Sequence, residues 1–201
     1  MLDNASARQA LSRIVTPVAK SLIALRVTAD AVTCCAALAT IGVATLLVPQ
    51  GKFLIASILI GALSLGDLLD GTIARLTNSA GKWGAFLDST LDRIVDAAVL
   101  ISICTYFLTS TGQNKSAFIA ASISLLMGQM TSYIRARAEA LGKTCKVGLA
   151  ERAERTLVVW FGLLISGLGL FCLDYAMYLL AAITSYTVIQ RVVHVRKQIQ
   201  S

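Results

Sequence analysis

The sequence predicts an all-α integral membrane protein with six transmembrane helices and an amphipathic interfacial helix before them. Of its 201 residues, 56% are hydrophobic and only 14% are charged, and the mean hydropathy is +0.74. This composition excludes an ordinary soluble domain. Six apolar runs also lie between polar turns, and each approaches or exceeds the ~20 residues that span hydrocarbon.

Residues 1–28 are predicted to form the juxtamembrane helix. Their apolar side chains recur at helical spacing among basic ones, which is typical of a helix lying on a membrane surface. A solvated helix is the alternative. The apolar positions are Leu11, Ile14, Val15, Val18, Leu22 and Ile23, and the basic positions are Arg8, Arg13, Lys20 and Arg26.

Residues 29–201 are predicted to form one six-helix membrane domain. Breaker residues separate the runs: Pro49 and Gly51 follow the first, and Gly112 precedes the fourth. The predicted spans are 30–48, 52–75, 83–108, 115–141, 152–172 and 174–195.

The basic residues predict the orientation of these spans. With the N-terminus inside, all of the 18 Lys and Arg residues except Lys52 and Lys115 fall at the inner side. The positive-inside rule therefore predicts that both termini are cytoplasmic. It also accounts for the net charge of +7 without nucleic-acid binding.

Four aspartates interrupt the apolar runs, at Asp67, Asp70, Asp88 and Asp92. An unpaired Asp inside a membrane helix costs about 2.5–3.5 kcal/mol. The spacings i,i+3 and i,i+4 place each pair on one helix face, and the short linker brings the two helices together. Carboxylate oxygens favour Mg²⁺, Mn²⁺ or Ca²⁺, and paired ions are common in phosphoryl chemistry. The alternative is a proton or cation relay in a divalent cation transporter.

Small residues surround these carboxylates at Gly71, Ala74 and Gly84, where a ligand can approach closely. Arg75 ends the same helix and suits a phosphate. Asp96 continues the face of Asp88 and Asp92 by one turn, and we expect it to pair with a buried arginine or to join a polar network in the bundle rather than to bind a metal ion.

The pattern Asp67-x2-Asp70-Gly71-x2-Ala74-Arg75-x8-Gly84-x3-Asp88-x3-Asp92 resembles the signature of the CDP-alcohol phosphotransferase family. The segment 28–33 also resembles a Thr-Pro-Asp element of this family. Ala29 replaces the proline there, and Asp30 is either a helix N-cap or a nucleotide contact.

The resemblance implies a bacterial or archaeal cell-membrane enzyme that transfers a phosphatidyl group from a CDP-lipid to an alcohol and releases CMP. It implies that Asp67, Asp70, Asp88 and Asp92 bind two Mg²⁺ or Mn²⁺ ions. Asp92 would also be the catalytic base. The CDP-lipid would contact Asp30, Gly71, Ala74, Arg75 and Gly84. A homodimer is expected from the family.

The acceptor alcohol is predicted from the arginines at the inner helix ends. Ser-Tyr-Ile-Arg-Ala-Arg-Ala-Glu at 132–139 and Glu-Arg-Ala-Glu-Arg at 151–155 resemble the actinobacterial branch that uses inositol 1-phosphate. The phosphate would meet Arg135, Arg137, Arg152, Arg155 and Arg191, with Glu139 and Glu151 orienting arginines. Alternatives are glycerol 3-phosphate as acceptor, an archaeol lipid as donor, or arginines that contact lipid headgroups.

Overall fold

The computed structural model describes residues 5–109, 114–170 and 172–200, and the side chains from residue 15 onward except that of Asp67. All regular structure in these ranges is helical. The helices are α1 (Ala5–Ala24), α2 (Ala29–Leu47), α3 (Phe53–Leu63), α4 (Gly66–Leu76), α5 (Lys82–Thr109), α6 (Lys115–Ala140), α7 (Arg152–Ile165) with a π-helical extension (Ser166–Leu170), and α8 (Leu173–Gln200).

Five helical stretches in these ranges are long and apolar enough to cross a membrane. They are Ala29–Leu47, Phe53–Leu76, Lys115–Ala140, Arg152–Leu170 and Leu173–Gln200. Large apolar side chains such as Leu38, Leu46 and Leu126 are largely exposed, as contact with lipid requires. A multi-pass helical membrane protein is therefore confirmed.

Helix α5 is the remaining predicted span. It has 28 residues, but its first half carries too many charges for α5 to be counted among the five candidate membrane spans. Its charged residues are Lys82, Asp88, Asp92, Arg93 and Asp96. The predicted span 83–108, the third in the chain, therefore stays a prediction. The interfacial position of α1 also stays a prediction, because residues 1–4 and the side chains up to residue 14 lie outside the description.

The predicted second span is not one continuous helix. The chain turns at Ser64 and Leu65, between α3 and α4. Gly66 begins α4 pressed against α2, where a Cβ would meet the Cβ of Ala36 at 2.9 Å. The first metal-ligand candidate, Asp67, thus lies in the first turn of a new helix rather than in mid-helix.

The predicted fifth span also differs, because the α-helix ends at Ile165 and continues as a π-helix to Leu170. Gly169 there has φ +93°, a left-handed value that glycine adopts without a Cβ clash. Gly167 lies so close to the backbone of Leu54 that a Cβ has no room. Close packing of α7 against α3 accompanies the irregular end.

The chain divides into two compact units, the first formed by Met1–Gly42 with Ile60–Val95 and the second by Val43–Leu59 with Asp96–Ser201. In the first unit α1 packs against α4. The indole of Trp83, at the start of α5, donates a hydrogen bond of 3.0 Å to Asp30 at the start of α2. This hydrogen bond brings the beginnings of α2 and α5 together.

In the second unit α6 and α8 run parallel. Ser116 and Tyr178 are hydrogen-bonded at 2.6 Å near one end, and Gln198 contacts Thr144 just beyond the other. Helix α7 packs closely on α8 at Gly162, where a Cβ would meet that of Ala176 at 2.8 Å. The indole of Trp160 donates to the carbonyl of Ser57, which ties α7 to α3.

Candidate active site

Three of the four signature carboxylates belong to described side chains, and all three lie in the first unit. Asp70 is on α4, and Asp88 and Asp92 are one turn apart on α5. Asp88 is exposed, whereas the side chain of Asp92 is only 14% exposed. The side chain of Asp67 lies outside the description, so the complete set of four stays a prediction.

Asp70 is held by a residue that the signature does not include. The hydroxyl of Thr33, on α2, donates a hydrogen bond of 2.6 Å to Oδ2 of Asp70. A bond this short is typical of a hydroxyl donating to a charged carboxylate. Thr33 therefore orients the carboxylate. Its sequence signal is its place at the end of the segment 28–33, three residues after Asp30.

Asp92 has a cation beside it in the sequence. Nη2 of Arg93 lies 3.8 Å from Oδ2 of Asp92. At this length the contact is an ion pair without a direct hydrogen bond, and its strength is modest.

The predicted nucleotide contacts at Asp30 and Gly84 are neighbours. A Cβ on Gly84 would lie 4.0 Å from Oδ1 of Asp30, whose Oδ2 accepts the hydrogen bond of Trp83. Trp83 is 63% exposed, and its ring lies 5.9 Å from that of Phe86, which is also exposed. Sequence reasoning missed this aromatic pair, because two exposed rings in an apolar run are typical of lipid-facing positions.

The α4 candidates leave space. Apart from the neighbouring backbone of α4, no atom of the described residues lies within 4 Å of the position that a Cβ would take on Gly71. Ala74 is half-buried, and Arg75 is exposed with Nη2 3.4 Å from the hydroxyl of Thr72. This face of α4 offers an open path to a ligand and a guanidinium at its end.

The donor chemistry fits a divalent cation, because every signature ligand is a hard carboxylate oxygen. Among the described side chains, no three His, Cys, Asp or Glu residues lie close enough together to hold a metal ion. Asp67 is not among those side chains. Binding by all four carboxylates therefore stays a prediction.

In the second unit, Arg155 is buried with only 7% of its surface exposed. Its Nη2 donates to Oδ2 of Asp96 at 3.2 Å, and its Nη1 donates to the hydroxyl of Thr131 at 3.0 Å and the carbonyl of Ala150 at 3.2 Å. Arg152 lies 4.0 Å from the same aspartate. The predicted pairing of Asp96 with a buried arginine is confirmed.

Arg191 is buried beside Arg155, with 3% of its surface exposed. It donates from Nη1 to the carbonyl of Thr131 at 2.6 Å and from Nε to that of Val147 at 2.8 Å. Nη2 lies 3.9 Å from Glu151, and the orienting role predicted for this glutamate stays a prediction. Arg152, Arg155 and Arg191 thus belong to one cluster.

The other two predicted arginines lie outside this cluster. Arg135 makes an i,i+4 pair of 3.1 Å with Glu139 on an exposed face of α6. Arg137 is exposed and lines a groove of about 370 Å³ with Arg196, between the ends of α6 and α8. The structure brings together three of the five acceptor candidates.

Comparison with known proteins decides the family. A sequence model described as CDP-alcohol phosphatidyltransferase matches residues 26–191. The chain belongs to the CDP-alcohol phosphatidyltransferase family. The resemblance that the aspartate signature predicts is thereby confirmed, and the match extends from α2 to the buried Arg191.

Relatives of known activity and structure lie within this family. The chain is 43% identical to the phosphatidylinositol phosphate synthase of Corynebacterium glutamicum, over 90% of this chain and 83% of that protein. The crystal structure of the Mycobacterium tuberculosis phosphatidylinositol phosphate synthase with CDP-DAG bound superposes with a TM-score of 0.86 at 35% identity, covering 91% and 94% of the two chains. The same synthase in complex with manganese and citrate gives a TM-score of 0.85 at 34% identity, with 90% and 88% covered.

Proposed function

We propose that the chain transfers the phosphatidyl group of CDP-diacylglycerol to inositol 1-phosphate, giving phosphatidylinositol phosphate and CMP. The observation that carries this proposal is the similarity, over nine-tenths of the chain, to the C. glutamicum synthase. The buried arginine cluster supports the acceptor, because guanidinium groups match a phosphate dianion with paired hydrogen bonds.

The proposed reaction is a displacement at the phosphatidyl phosphorus. The hydroxyl oxygen of inositol 1-phosphate attacks, the bond from this phosphorus to the CMP oxygen breaks, and CMP leaves with the electron pair. Asp92 takes the hydroxyl proton as general base. Asp67, Asp70, Asp88 and Asp92 would hold two Mg²⁺ or Mn²⁺ ions, which when bound neutralise the pyrophosphate charge. Thr33 keeps Asp70 oriented for this role.

The donor would lie along α4 and the start of α5. The open space at Gly71 admits the pyrophosphate, and Arg75 offers it a cation. Asp30 and Gly84 are adjacent, which supports their role in holding the cytidine. The small side chain of Ala74 lets a ligand approach this face of α4 closely. For the acceptor, Arg152, Arg155 and Arg191 are the favoured contacts. Arg135 and Arg137 are less favoured as acceptor contacts, because they lie outside the cluster of Arg152, Arg155 and Arg191.

Placement in the membrane follows from the same proposal. We place α5 in the membrane as the third of the six spans of the domain 29–201. Its charged half would lie at the cytoplasmic side, where CDP-lipids and soluble phosphates meet. The helix at 1–28 would lie on that surface. Both termini are cytoplasmic by the asymmetry of basic residues. We further propose a homodimer, as expected from the family.

The direct test supplies purified protein with CDP-diacylglycerol, Mg²⁺ and labelled inositol 1-phosphate. We expect labelled lipid and an equal amount of CMP. A parallel reaction with labelled glycerol 3-phosphate is the control. Lipid labelling from glycerol 3-phosphate alone would assign a phosphatidylglycerol phosphate synthase, and Mg²⁺ flux into liposomes without CMP release would assign a transporter.

A further inference from the structure

We propose that Thr131 is a positioning residue for the acceptor phosphate, holding Arg155 and Arg191 in one fixed arrangement. The inference rests on the proposed function and adds a residue outside the aspartate signature and the arginine motifs. Thr131 lies on α6 with no surface exposed. It contacts both buried guanidiniums, one through its side chain and the other through its backbone.

The side chain of Thr131 is itself oriented. Its hydroxyl donates to the carbonyl of Gly128 at 2.8 Å, which turns an oxygen lone pair towards Nη1 of Arg155 at 3.0 Å. Arg155 also packs directly on Gly128, because a Cβ there would lie 3.5 Å from Nε of Arg155, at ordinary van der Waals distance. One turn of α6, from Gly128 to Thr131, therefore forms the surface on which Arg155 packs and donates a hydrogen bond.

The backbone of Thr131 fixes the second arginine. Its carbonyl accepts a hydrogen bond of 2.6 Å from Nη1 of Arg191. Two like charges are thus kept side by side, although two guanidiniums repel each other in a medium of low dielectric constant. Neutral acceptors on one residue set their spacing without cancelling either charge.

The charge of the cluster points to an anionic ligand. Among the described ion pairs, the arginines at 152, 155 and 191 lie close to the carboxylates of Asp96 and Glu151. Glu151 is half exposed and lies 3.9 Å from its partner, so it neutralises little. Positive charge held in a buried place is costly unless an anion joins it, and a phosphate monoester supplies that anion.

The substitution Thr131→Val tests this role, because valine keeps the shape of threonine and removes the hydroxyl acceptor. We expect the KM for inositol 1-phosphate to rise about tenfold, equivalent to about 1.4 kcal/mol and within the range for one buried hydrogen bond to a charged group. The kcat and the KM for CDP-diacylglycerol should change by less than about twofold. Thr131→Ser restores the hydroxyl and should return the acceptor KM to within about twofold of the wild type.

A binding measurement separates positioning from mere structural support. Inositol 1-phosphate should raise the unfolding temperature of the wild type and of Thr131→Ser, and much less that of Thr131→Val. If Thr131→Val fails to purify as a folded protein, Thr131→Ala replaces it in both measurements. An unchanged acceptor KM, or equal rises in both KM values, would overturn the inference. A wild type that makes no lipid from inositol 1-phosphate would instead reject the proposed function.

Discussion

At the scale of residues, threonine hydroxyls hold the charged groups of both units. Thr33 donates to Asp70 in the first unit, and Thr131 accepts from Arg155 in the second. Each hydroxyl contacts the charged group without adding charge, so a carboxylate or guanidinium is oriented while its charge stays available to a ligand. Neither threonine is visible as functional in the sequence, because threonine is common in membrane helices as a packing residue.

The substitution Thr33→Val should weaken metal activation. Without the hydroxyl the Asp70 carboxylate loses a fixed orientation, and loss of such outer contacts commonly lowers metal affinity about 10–100-fold. We expect the Mg²⁺ concentration for half-maximal activity to rise about tenfold, with Thr33→Ser close to the wild type. Titration of activity with Mg²⁺ measures this. An unchanged Mg²⁺ requirement would show that Thr33 has no part in the site.

The substitution Asp92→Asn should abolish turnover while CDP-lipid binding is largely retained. The amide keeps the size of the side chain but cannot take the hydroxyl proton, and loss of a general base costs about 10²–10⁴-fold. Single-turnover CMP release and equilibrium binding of CDP-diacylglycerol measure the two effects. Asp174→Asn, at the start of α8, is the matched control and should stay active. Normal turnover of Asp92→Asn would remove Asp92 as the base.

At the scale of elements, the segment 141–151 between α6 and α7 is hydrogen-bonded to α8 at several points along its length. Gln198 accepts from the amide of Thr144 at 3.1 Å and donates to its carbonyl at 2.6 Å. The amide of Ala150 donates to the hydroxyl of Thr187, and Arg191 donates to the carbonyl of Val147. Side chains of α8 thus satisfy polar backbone groups of Thr144, Val147 and Ala150 in this irregular segment, and the position of the arginine cluster depends on these contacts.

Gly148 is the tightest point of that segment. It has φ +136°, and a Cβ there would meet Cγ2 of Thr187 at 2.5 Å and Nε of Arg191 at 3.3 Å. Gly148→Ala should therefore lower the unfolding temperature in detergent and raise the KM for inositol 1-phosphate. Gly142→Ala is the matched control, because Gly142 also has a positive φ, +70°, but open space around its Cβ position. Equal effects of the two substitutions would contradict a steric role for Gly148.

At the scale of the whole molecule, hydropathy and helix-breaking residues such as proline and glycine predict where the helices lie. They do not predict where a predicted span is interrupted by a turn. The first span, predicted at 30–48, is observed at Ala29–Leu47, because Pro49 and Gly51 stop the run in any surroundings. The turn before Gly66 lies where α4 packs closely on Ala36 of α2, and the sequence does not show that contact. The same holds for the site: helical spacing pairs Asp88 with Asp92, whereas the bond between Arg155 and Thr131 joins residues 24 apart on different helices.

The orientation of the chain is the remaining whole-molecule prediction, and it rests on the excess of basic residues at one side. Lys115 and Lys146 are both exposed, and the prediction places them on opposite faces of the membrane. In a cysteine-free background, an impermeant maleimide added to intact cells should label Lys115→Cys at once. It should label Lys146→Cys only after the membrane is permeabilised. The reverse pattern would put the arginine cluster outside, where neither a CDP-lipid nor a cytoplasmic sugar phosphate could supply the proposed reaction.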